Sequence, residues 1–573
     1  MDEPALKDGM SYIRGRLDLP LLDKCIGAVL EDSAAKFPDH DCLVSCHQNQ
    51  RFSYREFNER VDLAARGLLA LGVKRGDRVG IWSPNCAEWV ITQFASAKVG
   101  AILVNINPAN RAVELEHVLR QSECQTLVFA EGYRDAKYAA ILQEIGGDFG
   151  SRSSEIAEFR NLPNLQSLIF LGASVVPGTM GWDDFVNAGR HIPLEHLRAR
   201  ESELDIDDAV NIQYTSGTTG RPKGAMLSHR NIANNGLLVA NAMRFTHCDR
   251  LCIPVPFYHC FGMVLANMVC VASGAAMVVP AASFDPLLTV QAIQDERCTA
   301  VHGVPTMFIA ELEHPRFAEF DLRSLRTGIM AGSPCPIEVM KRVVNDMHCQ
   351  DLTIVYGLTE SSPGITQTTP DDPIELRVTT VGKVLPHTEV KIVDLLTREI
   401  VPVGTAGELC TRGYHVMKGY YKNPEATRSA IDEDGWLRSG DLAVVDEKGY
   451  FRITGRAKDV IIRGGENIYP REIEEFLYTH PSITGVQIVG VPDRKFGEAV
   501  AAWVQLKPGC SLTLEELKAF CKGRIADFKI PHYLKVTRDF PMTVTGKIQK
   551  YRMKEISIEE LGLSHLTAST QKQ

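Results

Sequence analysis

Between residues 54 and 69 the apolar positions Tyr54, Phe57, Val61, Ala64, Leu68 and Leu69 recur at helical spacing, the rhythm of one buried helix face. Ser53-Tyr54-Arg55-Glu56 ahead of them reads as a capping box, in which serine and glutamate satisfy each other's exposed N–H groups. Gly72 and Gly76 end that helix. Short apolar runs follow at 79–82, 101–104 and 127–130, with helical patterns between them, one passing through Trp89 and Phe94. Short buried strands alternating with helices predict an α/β sheet with covered faces. Residues 145–165 are polar and read as a surface loop. Residues 211–214 and 224–227 read as strands flanking a loop, with Ser228 capping a helix from near Arg230. Runs at 301–305, 325–330 and 352–360 read as strands ending in turns or polar residues, and strand ends are where ligands bind in open α/β sheets. Residues 263–280 carry no charge, but Asn267 and Ser273-Gly274 interrupt them. The run barely reaches the ~18–20 apolar residues of a membrane span, so a buried helix followed by a buried strand is expected.

From about residue 380 the pattern changes. Short strands with Gly-rich turns at 381–393, 407–410 and 449–453 suggest a small β subdomain. Gly455-Arg456-Ala457-Lys458-Asp459 is the best domain boundary, which gives an N-terminal domain of 1–457 and a C-terminal domain of 458–573. In the latter, Pro470 suits the first position of a helix through Glu472, Phe476 and Leu477. Runs at 486–491, 499–506 and 533–536 read as strands, Thr513 caps a further helix, and residues after 561 read as a tail. The fold class expected is α/β: a large N-terminal domain of two covered α/β sheets plus a small β subdomain, and a smaller, mobile α+β C-terminal domain.

Composition narrows the function. At 573 residues and 45% apolar content the chain outgrows a single core, which stops near ~250–300 residues. With 62 Lys and Arg against 71 Asp and Glu the net charge is −9, a poor match to nucleic acid, which needs a basic footprint. The 15 cysteines are scattered with no C-x-x-C, so no structural metal site is expected and a reducing compartment is. Met1-Asp2-Glu3 has no basic n-region, and no transmembrane segment is expected; the location expected is the cytoplasm.

The densest chemistry lies in Tyr214-Thr215-Ser216-Gly217-Thr218-Thr219-Gly220-Arg221-Pro222-Lys223-Gly224. Glycines let backbone approach a ligand closely, and successive N–H groups in such a loop make an anion-binding concavity. Hydroxyls of Thr215, Ser216, Thr218 and Thr219 and the charge of Lys223 complete a polyphosphate cradle. It is not a Walker A loop, because Lys223 stands between Pro222 and Gly224. Tyr356 offers a flat face for a purine, and Thr359 and Glu360 offer hard oxygens of the kind Mg²⁺ takes beside phosphate. An ordinary strand end with a capping threonine fits those residues equally well. Asp441, in Ser439-Gly440-Asp441, could accept from both hydroxyls of a ribose or form a plain Asx turn. His259, in Pro256-Phe257-Tyr258-His259, is of a kind that is ordinarily structural, and Lys547 projects from the Thr545-Gly546 turn like many solvated lysines.

In this order, the loop at 214–224, Tyr-Gly-Leu-Thr-Glu at 356–360, Ser-Gly-Asp at 439–441, Gly-Arg-Ala-Lys-Asp at 455–459 and Thr-Gly-Lys at 545–547 resemble the adenylate-forming superfamily from about residue 25 to about 555. The wording at 461–470 is most similar to its medium-chain fatty acyl-CoA synthetases. The resemblance implies a two-step ligase. A carboxylate attacks the α-phosphate of Mg·ATP to give an acyl-adenylate and pyrophosphate, then coenzyme A displaces AMP. It implies that Thr215 to Lys223, with Gly217 and Gly220, hold the β/γ-phosphates, that Glu360 orders Mg²⁺ and that Thr359 meets the α-phosphate. Tyr356 stacks on adenine, with Gly332, Ser333 and Pro334 along its edge. Asp441 and Arg456 fix the ribose, Lys547 bridges carboxylate and α-phosphate, Lys458 is the hinge, and Gly464 and Gly465 line a coenzyme A tunnel. His259 becomes a pocket residue near the acyl group. Gly357, where acetate-activating relatives carry Trp, implies room for a medium or longer acyl chain or an aryl acid, lined by Phe257, Val304 and Pro305. The partners implied are the small molecules acid, ATP and coenzyme A, with a homodimer left open. An aryl or unusual acid as substrate, and a non-catalytic nucleotide-binding relative, are the alternatives.

Overall fold

The computed structural model describes residues 6, 9–147, 161–215, 222–333, 335–464, 466–542 and 548–567. They group into two units, one of residues 13–390 and 411–438, the other of 6–12, 391–410 and 439 onward.

Two sheets organise the first unit. One runs Met180–Gly181, Ser167–Phe170, Thr126–Phe129, Arg78–Trp82, Ile102–Ile106, Ala209–Thr215, Lys223–Ser228, Gly419–Tyr420. It is parallel as far as Ala209–Thr215 and antiparallel beyond. The other runs Lys383–Val384, Gly364–Gln367, Asp351–Gly357, Thr327–Met330, Ala300–Gly303, Arg250–Cys252, Ala276–Val279, Asp41–Ser45, Gln50–Ser53. Its middle is parallel and both margins are antiparallel. The apolar runs at 101–104 and 127–130 became Ile102–Ile106 and Thr126–Phe129, buried throughout, as a sheet covered on both faces requires. The loop expected over 145–165 falls largely outside the described residues.

Helix Tyr54–Ala70 carries the capping box: Ser53 N donates to Glu56 Oε2 (2.8 Å) and Glu56 N to Ser53 Oγ (3.3 Å). Tyr54, Phe57, Val61, Ala64 and Leu68 are its buried face. The uncharged run is a helical segment, Cys260–Gly262, Met263–Met268 in π form and Val269–Ser273, followed by the buried strand Ala276–Val279. Among the described residues no helix is long and apolar enough to cross a membrane.

In the second unit, residues 441–445 of strand Leu437–Val445 pair antiparallel with Phe451–Arg456, from Asp441↔Arg456 to Val445↔Phe451. Further on, Glu466–Ile468, Ile461–Arg463, Gly497–Leu506 and Ile483–Asp493 form a sheet, with Tyr533–Val536 on Gly497–Leu506. Helices Pro470–Leu477, with proline in its first turn, and Leu514–Cys521, capped by Thr513, pack Ile473, Leu477 and Leu517 with Ile461, Val486 and Val504.

Three histidines of the first unit are buried: His229, His302 and His415. His229 Nδ1 accepts from Ile26 N (3.2 Å), His302 Nδ1 from Ile329 N (3.2 Å), and His415 lies 2.8 Å from Thr411 Oγ1. Burial lowers their pKa values from 6.5 to about 4, about 4 and about 3. An unfolded chain takes up protons at these sites below pH 6.5 and the folded one does not. The stability they confer is complete above pH 6.5 and is lost as pH falls from there toward 4. At pH 5 the loss is up to about 2 kcal/mol per histidine, at 1.36 kcal/mol per unit. The denaturant midpoint is expected to fall between pH 7 and pH 5, before most carboxylates titrate; a flat profile there would contradict the neutral assignment.

Candidate active site

Paired strands flank the candidate phosphate loop. Strand Ala209–Thr215 enters it and Lys223–Ser228 leaves it, paired as far as Tyr214↔Gly224 and Thr215↔Lys223. Thr215 Oγ1 lies 3.5 Å from Lys223 O. The Tyr214 hydroxyl bonds the Gln121 side chain and anchors the entering strand on helix Ala112–Ser122. Ser216, Gly217, Thr218, Thr219 and Gly220 lie outside the described residues, so the hairpin is fixed by its ends, Thr215 and Lys223.

The exit strand is laced to a second segment. Tyr421 N donates to Gly224 O (2.7 Å) and Lys418 N to Met226 O (2.9 Å), forming the antiparallel pair with Gly419–Tyr420. Met417 N, in the same segment, donates to Glu360 O (2.9 Å). The Tyr420 hydroxyl donates to Glu360 Oε1 (2.8 Å), and Lys223 Nζ lies 5.2 Å from the centre of the Tyr420 ring. Burial, then the Glu360 charge and hydrogen bond, push the Tyr420 phenol well above its usual range, so it stays a donor.

Glu360 and its neighbours stand at one edge of the second sheet. Ala300–Gly303, Thr327–Met330 and Asp351–Gly357 are parallel neighbours, with Gly303↔Met330 and Met330↔Ile354 in register. Their carboxyl ends therefore share an edge. Val304 follows the first strand, Gly332 and Ser333 the second; Tyr356 and Gly357 end the third, and Thr359 and Glu360 open the turn Thr359–Ser361. Gly332 takes φ +87°, backbone that favours glycine, and Ser333 is exposed. Pro334 lies outside the described residues. Leu358 N donates to Ser361 Oγ (2.9 Å), which fixes the turn carrying Thr359 and Glu360.

Gly357 has a different reason from the one the sequence suggested. A Cβ there would lie 1.7 Å from the Pro363 carbonyl oxygen. The missing side chain makes room for backbone, so Gly357 does not itself argue for a long acyl chain. Gly357→Ala is expected to cost about 1–3 kcal/mol or more, the range for forcing atoms into packed space, read as a lower unfolding midpoint. An unchanged midpoint would show that Pro363 yields freely.

His259 precedes the short helix Cys260–Gly262, and its Nδ1 accepts from Phe261 N (3.3 Å). The imidazole therefore has a capping role, with its other nitrogen protonated. Phe257 is buried against Trp89 (5.4 Å between rings). Phe257, like Trp89, belongs to the core cluster.

In the second unit Asp441 and Arg456 face each other in register, and Arg456 Nε lies 2.9 Å from Asp441 Oδ1. Asp441 is nearly buried while Arg456 is about half exposed (6% and 48% of the side chains), so the pair presents its cationic end. Asp441 N donates to Ser439 Oγ (3.0 Å). Lys458, in the turn Ala457–Asp459, has its pKa lowered by burial, which outweighs the raising effect of the Asp459 charge, and the Arg456 charge adds to the lowering. Gly464 takes φ +61°, and its N–H donates to Phe496 O (2.8 Å). Gly465 and Lys547 lie outside the described residues.

Sequence reasoning passed over Tyr420 and the 417–421 segment. Its strand is two residues long, too short for any periodicity, and only a Gly-Tyr-Tyr wording marks it.

The hairpin of Ala209–Thr215 and Lys223–Ser228, joined through 417–421 to a Thr-Glu turn at parallel strand ends, suits a nucleotide. The family model described as AMP-binding enzyme matches residues 30–421, and that described as AMP-binding enzyme C-terminal domain matches 472–547. The chain belongs to the AMP-binding enzyme family. This AMP-binding enzyme is 52% identical over 544 residues to the Bacillus subtilis protein named "Putative acyl-CoA synthetase YngI", covering 95% of this chain and 99% of that one. It is 42% identical over 560 residues to the mouse mitochondrial medium-chain acyl-CoA ligase ACSF2, covering 97% and 91%. Among solved structures, the anthranilate CoA ligase AuaEII in complex with anthranoyl-AMP superposes with a TM-score of 0.82 at 25% identity, covering 95% and 99%. The α/β fold of a large N-terminal and a smaller C-terminal domain is the one those adenylating enzymes have.

Proposed function

We propose that this enzyme is a fatty acid–CoA ligase for acids of medium or longer chain, acting through an acyl-adenylate and releasing AMP and pyrophosphate. Overall identity to acyl-CoA synthetases and ligases supports the class. The observation that carries the chemistry is the joint placement of Glu360 and Lys223 on Tyr420. That sets a carboxylate suited to a metal and a cation suited to phosphate against the same side chain.

The residues fit a magnesium ion. Glu360 is a half-buried carboxylate with Thr359 beside it, and Mg²⁺ takes one or two carboxylates together with substrate phosphate oxygens. When bound, the ion would neutralise charge on the triphosphate. Thr215 and Lys223 bind β- and γ-phosphate oxygens, Tyr356 supports adenine beside Gly332 and Ser333, and Thr359 meets the α-phosphate. His259 contributes by shaping the wall of the acyl pocket. Asp441 accepts from the ribose hydroxyls with Arg456 holding it in place, Lys458 serves as hinge, and Gly464 and Gly465 admit coenzyme A. The fifteen scattered cysteines suit a reducing compartment, and we assign the cytoplasm.

The test is AMP release from Mg·ATP across acetate, octanoate, palmitate and benzoate, with and without coenzyme A. AMP and thioester appearing together, with octanoate or palmitate preferred, is the expected result. A preference for benzoate would replace the fatty acid with an aryl acid, and no AMP from any acid would overturn the ligase reading.

A further inference from the structure

We propose that Tyr420 is a positioning residue for nucleotide binding, one that sets the Glu360 carboxylate and the Lys223 ammonium relative to each other; this rests on the ligase reading above. The two charged groups come from different sheets. Lys223 opens a strand of the first sheet, and Glu360 sits in the turn after a strand of the second. An acid and a base brought near each other in protein tend to pair directly. Such a pair would withdraw both from a metal–phosphate ligand.

Tyr420 gives each a different partner. Its hydroxyl donates to Glu360 Oε1 at 2.8 Å, while its ring faces Lys223 Nζ at 5.2 Å. A phenol can do both because its edge carries a donor and its face a negative quadrupole. Lysine's ammonium is attracted without losing any of its three N–H donors to a carboxylate.

The ring is placed by backbone and not by chance packing. Tyr420 N donates to Thr427 Oγ1 (2.9 Å), and residues 418 and 421 are hydrogen-bonded to the strand that Lys223 begins. Gly419 takes φ +127°, and a Cβ there would meet Thr427 Cγ2 at 2.7 Å. Helix Pro424–Ala430, capped by Asn423, then holds Thr427. The Met417 bond to Glu360 O fixes the carboxylate's own backbone to the same segment. The segment 417–427 thus reaches from the Thr359–Glu360 turn to the phosphate-loop exit, with Tyr420 at its centre.

Tyr420→Phe removes the bond to Glu360 and keeps the ring under Lys223; Tyr420→Leu removes both. The readout is equilibrium binding of α,β-methylene-ATP by calorimetry, without acid or coenzyme A, over a series of Mg²⁺ concentrations and in EDTA. For Tyr420→Phe, affinity in saturating Mg²⁺ is expected to fall about tenfold or more, as for a lost hydrogen bond to a charged group, with affinity in EDTA unchanged. For Tyr420→Leu, affinity in EDTA is expected to fall as well, about two- to fivefold for a lost cation–π contact. A purely structural role would lower binding with and without metal alike in Tyr420→Phe, and that result, or no change at all, overturns the proposal. If the wild-type enzyme binds no Mg·nucleotide, the ligase reading falls and this inference with it. If wild type binds and Tyr420→Phe is indistinguishable from it, only the inference falls. Tyr420→Phe decides alone should Tyr420→Leu fail to fold.

Discussion

Lys547→Ala is expected to lower acyl-adenylate formation about 10²–10³-fold, the scale of losing one preorganised donor at developing charge. Attack on the α-phosphate gathers negative charge on its oxygens, and the protein contributes chiefly positioning and electrostatics to such transfers. A lysine suits this task, since its long stem carries a compact charge. Thr545-Gly546-Lys547 stands at the end of the segment that matches the AMP-binding C-terminal domain, residues 472–547. The second half-reaction makes no such demand, because AMP is then the leaving group and coenzyme A brings its own nucleophile. Thioester formation from supplied acyl-adenylate should therefore stay within severalfold of wild type. Quenched single-turnover assays of each half-reaction check this. Equal losses in both would show that Lys547 serves the fold or nucleotide binding in general.

The second large effect concerns stability. Lys98→Met is expected to destabilise the enzyme by about 3–5 kcal/mol, the cost of breaking a buried ion network by removing one partner. The Lys98 side chain is 0% exposed, and its Nζ reaches Asp62 Oδ1 (2.5 Å), Glu31 Oε1 (2.7 Å), Glu201 Oε1 (3.7 Å) and Asn58 Oδ1 (3.0 Å). Arg198 closes the network from outside, at 2.6 Å from Glu201 and 3.1 Å from Asp62. Burial pushes Glu31 up, but Lys98 and Arg198 pull harder and hold it below its usual range. Burial wins at Glu201, which is raised. Three carboxylates around one buried ammonium would repel each other without it. The three oxygens could in principle surround a metal, but the lysine already occupies the centre. Urea unfolding reads the effect directly. A loss under 1 kcal/mol would mean that the carboxylates take up protons and tolerate the vacancy.

Local rules made much of the fold legible. The Ser53–Glu56 and Thr513–Glu516 boxes, Pro470 in a first helical turn and the apolar runs of the parallel sheets are determined by neighbours in sequence, and each became the element expected. The strands flanking the phosphate loop and the strand ends before Gly332 and Thr359 were legible for the same reason. Long-range partners were not. Lys98 closes a helix otherwise buried and largely apolar, and nothing nearby in sequence names Glu31, Asp62 or Glu201. Gly357 was read as empty space for substrate because its neighbour, the Pro363 carbonyl, depends on how the chain doubles back. His259 was expected at the acyl pocket from the resemblance alone, and the structure shows its Nδ1 engaged by the helix it caps. Tyr420 lies sixty residues from Glu360 and nearly two hundred from Lys223; pairing of its segment with the Lys223 strand and the Met417 bond to Glu360 bring the three together.

Isotope transfer tests the acyl-adenylate directly. Octanoate labelled with oxygen-18 in its carboxylate is incubated with the enzyme, Mg·ATP and coenzyme A, and the AMP is analysed by mass spectrometry. If the carboxylate attacks the α-phosphorus, one labelled oxygen must leave with AMP when coenzyme A takes the acyl group, and each AMP will carry one label. AMP without label, or label found in pyrophosphate or inorganic phosphate, would contradict an acyl-adenylate.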